Sequence, residues 1–385
     1  AAAGLLMGGV SAQAADLGGN CCADLEERVA ELEATTVRKG NRKVSLEVSG
    51  HVNEAILFWD DGYDQAAYIV TNNYSRTRFR FKGSARITAD WSAGFLIEIG
   101  ARWTGNSAAA SQVTTAKTDL DIRHQALYVK SDTFGTIWLG HTSTSVDGIA
   151  DICLGCTITS THEAALGWGG FHTRLFGDKD ALGPTWGDLG AGNNVASGAS
   201  RRQVLRYISP TVAGFVLSAD WGASTNGYVG DDQTWSVALR YAAEFNSVRI
   251  AGGIGYHEED GSVYDADGDF LHNSFLRGWG GSLSFQHVPT GLFIAGSYGE
   301  QENTAGIFDG LRKKTDGWSV VGGIGQRWSS LGRTTFWGRY GQYTGRSVHL
   351  GDPADELGFV DGDSTVWSLG LNQQIDAAAM ELYVT

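Results

Sequence analysis

About fifteen segments of this chain, most of them roughly ten residues long, alternate polar and apolar residues with a period of two. That period sends successive side chains to opposite faces of an extended strand. The segments run over 44–58, 67–84, 93–104, 118–131, 135–142, 202–209, 213–222, 233–245, 247–257, 275–287, 291–299, 314–328, 333–345, 363–374 and 378–385. Their connections sort by parity. After even-numbered segments they are tight, as in TADW, SDTFG, SPTVAG, HVPTG and SSLG. After odd-numbered segments they are mostly longer: 104–117, 143–201, 223–232, 258–274, 300–313 and 346–362. Tight turns on one side of a membrane and long loops on the other produce this asymmetry, which a soluble β-sandwich has no reason to adopt. The expected fold is therefore all-β, a transmembrane antiparallel β-barrel. Such barrels have an even strand count in bacterial single chains, so the fifteenth segment, running to Thr385, predicts sixteen strands with the last one missing.

Two segments expose the membrane face. In Trp235 to Phe245, one side carries Trp235, Val237, Leu239, Tyr241 and Phe245, and the other Ser236, Ala238, Arg240, Ala242 and Glu244. In Trp318 to Trp328, Trp318, Val320, Ile324 and Trp328 oppose Ser319, Gly323 and Arg327. Aromatics ten residues apart are separated by about 34 Å of strand, or about 24 Å of depth at a 45° tilt, close to the ~25 Å apolar band between aromatic girdles. Composition agrees: Gly is abundant at 54, Pro is scarce at 4, and no apolar run approaches a membrane-spanning helix. A net charge of −14 argues against nucleic acid as a partner.

The start reads as the tail of a secretory signal, residues 1–14, with Leu5 to Val10 apolar and Ser11-Ala12-Gln13-Ala14 a small-x-small cleavage site. A periplasmic segment over 15–43 follows. Within it Asp24 to Thr36 reads DLEERVAELEATT, with Leu25, Val29 and Leu32 at heptad spacing. This predicts a short N-terminal helix, either a trimeric coiled coil or an amphipathic helix packed on the barrel. The barrel itself occupies 44–385. Export implies an oxidising compartment, so Cys153 and Cys156 are expected to form a structural disulfide rather than a zinc site. Cys21 and Cys22 are also disulfide candidates; if three helices meet, they can form interchain bonds.

The sharpest motif is SRTRFRFKG, Ser75 to Gly83. Arg76, Arg78, Arg80 and Lys82 share a face opposite Phe79 and Phe81. A cation facing lipid at mid-depth costs about 2–4 kcal/mol, so four of them must face water, and the lumen is hydrated. Glu98, Arg102, Asp119, Asp121, Arg123 and Arg206 are further inward candidates. The connection from Ser143 to Arg201 is too long and too apolar for a linker, with Ile149, Leu154, Leu166, Trp168, Phe171, Leu175, Phe176 and Trp186. It is expected to fold inward as the third long loop, with an external lid or a subunit contact as the alternatives. Its acids Asp147, Asp151, Glu163, Asp178 and Asp180 would oppose the arginines and narrow the path.

SRTRFRFKG, FGTIWLGHTST (Phe134 to Thr144) and RYISPTVAGFVLSADWG (Arg206 to Gly222) resemble the strand–turn signatures of general diffusion porins. The start, ADLGGNCCADLEERVAELEATTVRKGNRKVSLEVSG, is similar to porins of alphaproteobacteria. The resemblance implies a homotrimeric sixteen-stranded outer-membrane barrel whose third loop forms an eyelet, passing ions and small hydrophilic solutes by diffusion. By position, Arg76, Arg78 and Arg80 match the basic wall, while Asp147, Asp151 and Glu163 fall in the eyelet loop. The cysteine pairs are not part of that pattern. Some similar barrels are linked to peptidoglycan through an N-terminal Ala-Asp, which makes Ala15 and Asp16 a candidate attachment point. Outer-membrane lipids and lipopolysaccharide are the expected surroundings. No cofactor or metal is expected: Asp265, Asp267 and Asp269 alternate in an acidic loop but lack EF-hand spacing. No catalytic set stands out, so the alternatives are a substrate-specific channel or a tether between outer membrane and cell wall.

Overall fold

The computed structural model describes residues 44–102, 105–113, 119–160, 167–175, 178–189, 200–223, 232–264, 270–303, 313–349 and 359–385. Its strands are β1 (Ser45–His51), β2 (Glu54–Asp60), β3 (Gln65–Thr71), β4 (Arg78–Arg86), β5 (Trp91–Arg102), β6 (Asp119–Ser131), β7 (Gly135–Ser143), β8 (His172–Leu175), β9 (Asp178–Thr185), β10 (Arg201–Ile208), β11 (Phe215–Ala223), β12 (Gln233–Phe245), β13 (Val248–Tyr264), β14 (Phe270–His287), β15 (Leu292–Asn303), β16 (Lys314–Ser329), β17 (Gly332–His349), β18 (Phe359–Ile375) and β19 (Met380–Val384). Fifteen of them form one sheet in the order β1-β4-β5-β6-β7-β10-β11-β12-β13-β14-β15-β16-β17-β18-β19, with every neighbouring pair antiparallel. The hairpins β2–β3 and β8–β9 stand apart from it. Among the described residues no helix is long and apolar enough to cross a membrane, which leaves crossing by strands open.

The alternation places the faces as expected. Leu205, Leu217, Leu239, Ile254, Leu283, Ile294, Val320, Phe336 and Leu369 share the exposed face. Ser218, Ser236, Ala238, Ser282, Ser284, Ala295, Ser319 and Val321 are buried on the other. Apolar side chains outward and small or polar ones inward invert a soluble protein, as lipid solvation demands. Aromatic pairs mark the ends of the apolar band. Trp235 stacks with Tyr256 at 5.4 Å and Trp318 with Tyr340 at 5.7 Å near the long-loop side, while Trp328 meets Phe336 at 5.6 Å near the tight turns. The tight turns have local causes. Asn246 and Ser247 both adopt positive φ, 47° and 66°, as a two-residue hairpin matching strand twist requires. Gly135 opens β7 at φ 92°, where an added Cβ would sit 2.3 Å from the Ile208 carbonyl oxygen.

Two expectations need correction. Segments 44–58 and 67–84 are not continuous strands. The first breaks at Val52 and Asn53, and the second breaks between Thr71 and Arg78, which frees β2–β3 as a hairpin of its own. The cause is tertiary: Asn72 N donates to Asn53 O at 3.0 Å, and Asn53 N donates to Thr77 Oγ1 at 3.0 Å, which takes both strands out of the sheet at one level. Arg76 therefore precedes β4 rather than lying within it. The long connection after β7 carries a hairpin of its own, β8–β9. The N-terminal helix, Ala15, Asp16, Cys21, Cys22, Glu163, Leu166, Phe176 and the acidic run Asp265, Asp267 and Asp269 lie outside the described residues.

Candidate functional site

On the inner face, β4, β5 and β6 bring the predicted cations together around one carboxylate. Register pairs Arg80 with Glu98 and Glu98 with His124. A bulge in the β5–β6 pairing between Glu98 and Ile99 lets Arg123 reach the same carboxylate. Glu98 has no exposed side-chain surface. It accepts from Arg123 Nε at 2.6 Å, from Arg80 Nε at 2.7 Å and Arg80 Nη2, and from Arg78 Nη1 at 3.4 Å. One buried acid thus holds three guanidiniums, and Arg80 stays 42% exposed. Just above, Arg76 Nη2 meets Asp121 at 2.8 Å. Arg78 also donates to the Arg76 carbonyl and to Ser75 Oγ, each at 3.0 Å, which locks its side chain. Lys82 continues this face toward the tight turns, and Arg102 and Asp119 are cross-strand partners at the other end. The wall carries an excess of positive charge in a rigid array, because charge-assisted bonds fix each guanidinium.

The loop after β7 runs along the opposite part of the same face. Ser145 N donates to the Asp220 carboxylate on β11 and to Ser236 Oγ on β12. Val146, Ile149 and Ala150 bury against Ala238, with Ile152 beside them. Ile152 N donates to Ser282 Oγ at 3.1 Å and Leu154 N to Ser284 Oγ at 2.9 Å, while Ser282 Oγ donates to Ile149 O at 2.7 Å. Cys153 and Cys156 form a disulfide with a Cα separation of 5.4 Å and pack on Phe293, Ala295, Val321 and Trp337 of β15–β17. Arg333 holds Gly155 O, and Thr159 donates to Asn372 on β18. Trp168 then rests on Tyr343 and Val366. From β11 to β18, the loop replaces water over the wall.

The loop acids do not all oppose the arginine wall. Asp147 lies within electrostatic reach of Arg201, Arg206 and Arg240, and its carbonyl accepts from Arg240 Nη2 at 2.9 Å. Asp151 lies toward Tyr343 on β17. Asp178 opens β9, with Asp180 two residues on. Arg206 donates to Ser143 O at 3.1 Å, where the loop leaves β7. Arg240 lies on the inward side of its strand as the alternation expects, and Arg202, Arg333 and Arg339, not among the expected lumen residues, face inward by the same rule; Arg202 pairs with Glu259 at 2.7 Å.

Three loops are clasped at the long-loop end. Asp61, in the β2–β3 turn, accepts from Arg174 Nε of β8 at 2.8 Å and from Gln112 Nε2 at 3.2 Å. Trp59 packs on Phe171 at 5.5 Å, and Arg174 lies over the Tyr63 ring at 4.9 Å. Burial works to raise the Asp61 pKa. Hydrogen bonds from Asp64 N, Gln112, Tyr63 N and Arg174 outweigh it and hold the carboxyl below its ordinary 3.8. Among the described residues, no cluster of His, Cys, Asp and Glu could hold a metal ion.

The family model described as Gram-negative porin matches residues 1–385. A search of curated proteins finds no match. Among solved structures, OmpT of Vibrio cholerae, an outer membrane protein, is similar with a TM-score of 0.51 at 13% identity, over 88% of this chain and 85% of that chain. A loop-deletion mutant of OmpT gives 0.51 at 12% identity, over 87% and 90%. OmpF of Salmonella typhi, in complex with daunomycin, gives 0.50 at 14% identity, over 87% and 86%. At these identities the likeness is one of fold.

Proposed function

This chain belongs to the Gram-negative porin family and is an outer-membrane channel for passive diffusion, and on that premise we propose that its solute path runs between the arginine wall and the third loop and favours small anions. The observation carrying the proposal is the ratio at Glu98: three guanidiniums share one buried carboxylate, so the wall beside the path keeps uncompensated positive charge. The net charge of −14 belongs to the whole chain and does not describe the lumen. Family and fold point to a channel rather than an enzyme.

The same reading supplies the rest of the assembly. β1 and β19 are the edges of an all-antiparallel sheet of fifteen, so they run in the same direction. One further strand between them would close a barrel of sixteen with antiparallel pairs throughout. The edges already approach at one end, where Tyr383 of β19 donates to Asn53 and accepts from Asn72. The third loop is the eyelet, the barrels assemble as homotrimers of the alphaproteobacterial type, and the segment 15–43 is periplasmic with Ala15-Asp16 available to peptidoglycan. Lipid and lipopolysaccharide solvate the apolar face. Single-channel recording of the purified full-length protein across a salt gradient tests the reading. An anion-signed reversal potential with steps in groups of three is expected; a cation-signed potential overturns the anion preference, and silence from folded trimers overturns the open pore.

A further inference from the structure

One inner-face position is set apart by its aromatic side chains. On the arc from β4 to β10 the inward residues near the tight turns are a mixture of polar, small and aliphatic: Lys82, Ser84, Gly94, Leu96, Ala126, Thr136, Gly140, Val204 and Ile208. Tyr128 of β6 and Trp138 of β7 are the aromatic pair among them. They are direct cross-strand partners, with ring centroids 4.7 Å apart and planes at 41°. Tyr128 lies down on the wall, only 8% exposed, because its neighbour is Gly94; a Cβ there would meet the Tyr128 ring and hydroxyl at 2.6 Å. Trp138 lies against it and keeps part of its surface open. The apolar seats of the third loop fall on β12 and β15–β18, away from this pair. Neither ring belongs to those seats, so the pair is not explained by packing the loop.

Cations flank the pair. Arg206 is the direct cross-strand partner of Trp138 on its other side. Lys130 follows Tyr128 by two residues on the same face, 53% exposed and paired with Asp132 at 3.1 Å, and exposed Lys82 faces inward two strands away on β4. We infer that Tyr128 and Trp138 form a stacking platform on the tight-turn side of the arginine cluster, and that it retains small solutes carrying a flat ring and a carboxylate. The ring has a π-face to meet, and the carboxylate has Arg206 beside Trp138. This rests on the reading of the lumen as the solute path. It adds a ligand class: an aromatic carboxylate dwells at the platform, while a small inorganic anion is only drawn by the charge.

The test uses the purified full-length channel in planar bilayers with benzoate as the probe and cyclohexanecarboxylate as a control of equal charge and similar size without a flat ring. Benzoate is expected to depress chloride conductance in a saturable way, at concentrations about fivefold lower than cyclohexanecarboxylate requires, as an aromatic pair contributes. Trp138→Leu is expected to erase that fivefold difference and Trp138→Phe to keep most of it. Equal effects of the two acids on the native channel, or an unchanged benzoate response in Trp138→Leu, overturn the platform. The comparison of acids on the native protein needs no variant, so poor assembly of Trp138→Leu leaves the inference decidable. Anion-preferring conductance without benzoate retention sinks the platform alone, whereas no conductance sinks the pore reading with it.

Discussion

The wall from β4 to β6 and the wall from β11 to β18 are written with the same alternation, yet one gathers charge and the other carries the described seats of the loop. On the first, the inward residues are long cations that satisfy one another through Glu98 and Asp121. On the second, serines and small residues of β12 and β14 give way to Phe293, Trp337 and Tyr343 further round, and a loop is laid over them. The difference teaches how a hydrated barrel decides where its loop can rest. A loop backbone brings polar N–H and C=O groups that need partners once water is displaced. Ser236, Ser282 and Ser284, on β12 and β14, offer hydroxyls at the depth of residues 145 to 154, and side chains this short allow close approach. Single arginines, Arg240 and Arg333, also hold loop carbonyls, but covering the cluster around Glu98 would strip water from several guanidiniums at once. Asymmetry of the path then follows from side-chain size and solvation without any further device.

The largest expected effect breaks the first wall. Glu98→Gln keeps the shape and removes the charge, leaving Arg78, Arg80 and Arg123 facing one another. Removing one partner of a buried pair costs about 3–5 kcal/mol, and the exposure of Arg80 places this site near the low end, about 3 kcal/mol. Urea unfolding of the folded channel should show the loss as a lower midpoint. The reversal potential should shift further toward anions, because the wall gains a net positive charge. An unchanged midpoint would mean that water, rather than Glu98, supports the guanidiniums.

The second wall is tested by its hydroxyls. Ser282→Ala removes both the acceptor for Ile152 N and the donor to Ile149 O. Leaving such groups unpaired costs about 1–3 kcal/mol. The loss falls on the loop rather than on the sheet, so we expect greater current noise and faster amide exchange over residues 149–154 with little change in the unfolding midpoint. Exchange equal to the native protein would show that the apolar seat of Val146, Ile149 and Ala150 suffices alone.

Most of the sheet was legible in the sequence because lipid and water impose opposite demands on alternate residues. β12 and β16 follow that pattern from Trp235 to Phe245 and from Trp318 to Trp328. The break at Asn53 was not legible, since the apolar parity of Leu46, Val48 and Val52 resumes at Ile56 and Phe58. Only the partners of Asn53, which lie at Asn72 and Thr77, take the strand out of the sheet. The basic wall was readable as a face, but the role of Glu98 was not. Its three partners come from two other strands, and Arg123 arrives through a bulge that periodicity does not announce. The seat of one loop acid was not legible for a similar reason. Asp147 was expected to face the cations of β4, yet the loop leaves β7 beside β10 and meets Arg206 and Arg240 first.

A smaller effect concerns the clasp that joins the loops above both walls. Asp61 holds its proton less readily in the folded clasp than its ordinary 3.8. Its contribution is therefore full above that value and is lost as pH falls through the lower folded value. Limited proteolysis of the assembled protein should cut near residues 61–64 and 172–174 only in strong acid. Asp61→Asn should show the loosened pattern at neutral pH. Cleavage of the native protein that is independent of pH, with Asp61→Asn identical to it, would show that Trp59 and Phe171 hold the loops without the carboxylate.

The smallest expected effect sharpens what the charged wall owes to burial. Arg277 and Glu302 meet at 2.7 Å on neighbouring strands of the outward face, with side chains 49% and 22% exposed. Their contact distance resembles that of Arg123 with Glu98, at 2.6 Å, yet Glu98 is wholly buried. If guanidinium–carboxylate contact were itself the source of rigidity, the two substitutions would behave alike. An exposed pair gains little, because water solvates the separated charges nearly as well as they solvate each other. Glu302→Gln should therefore leave both the urea midpoint and the reversal potential unchanged within error, against the clear losses expected for Glu98→Gln. A fall in midpoint of comparable size would show that pairing, rather than enclosure, organises the arginines beside the path.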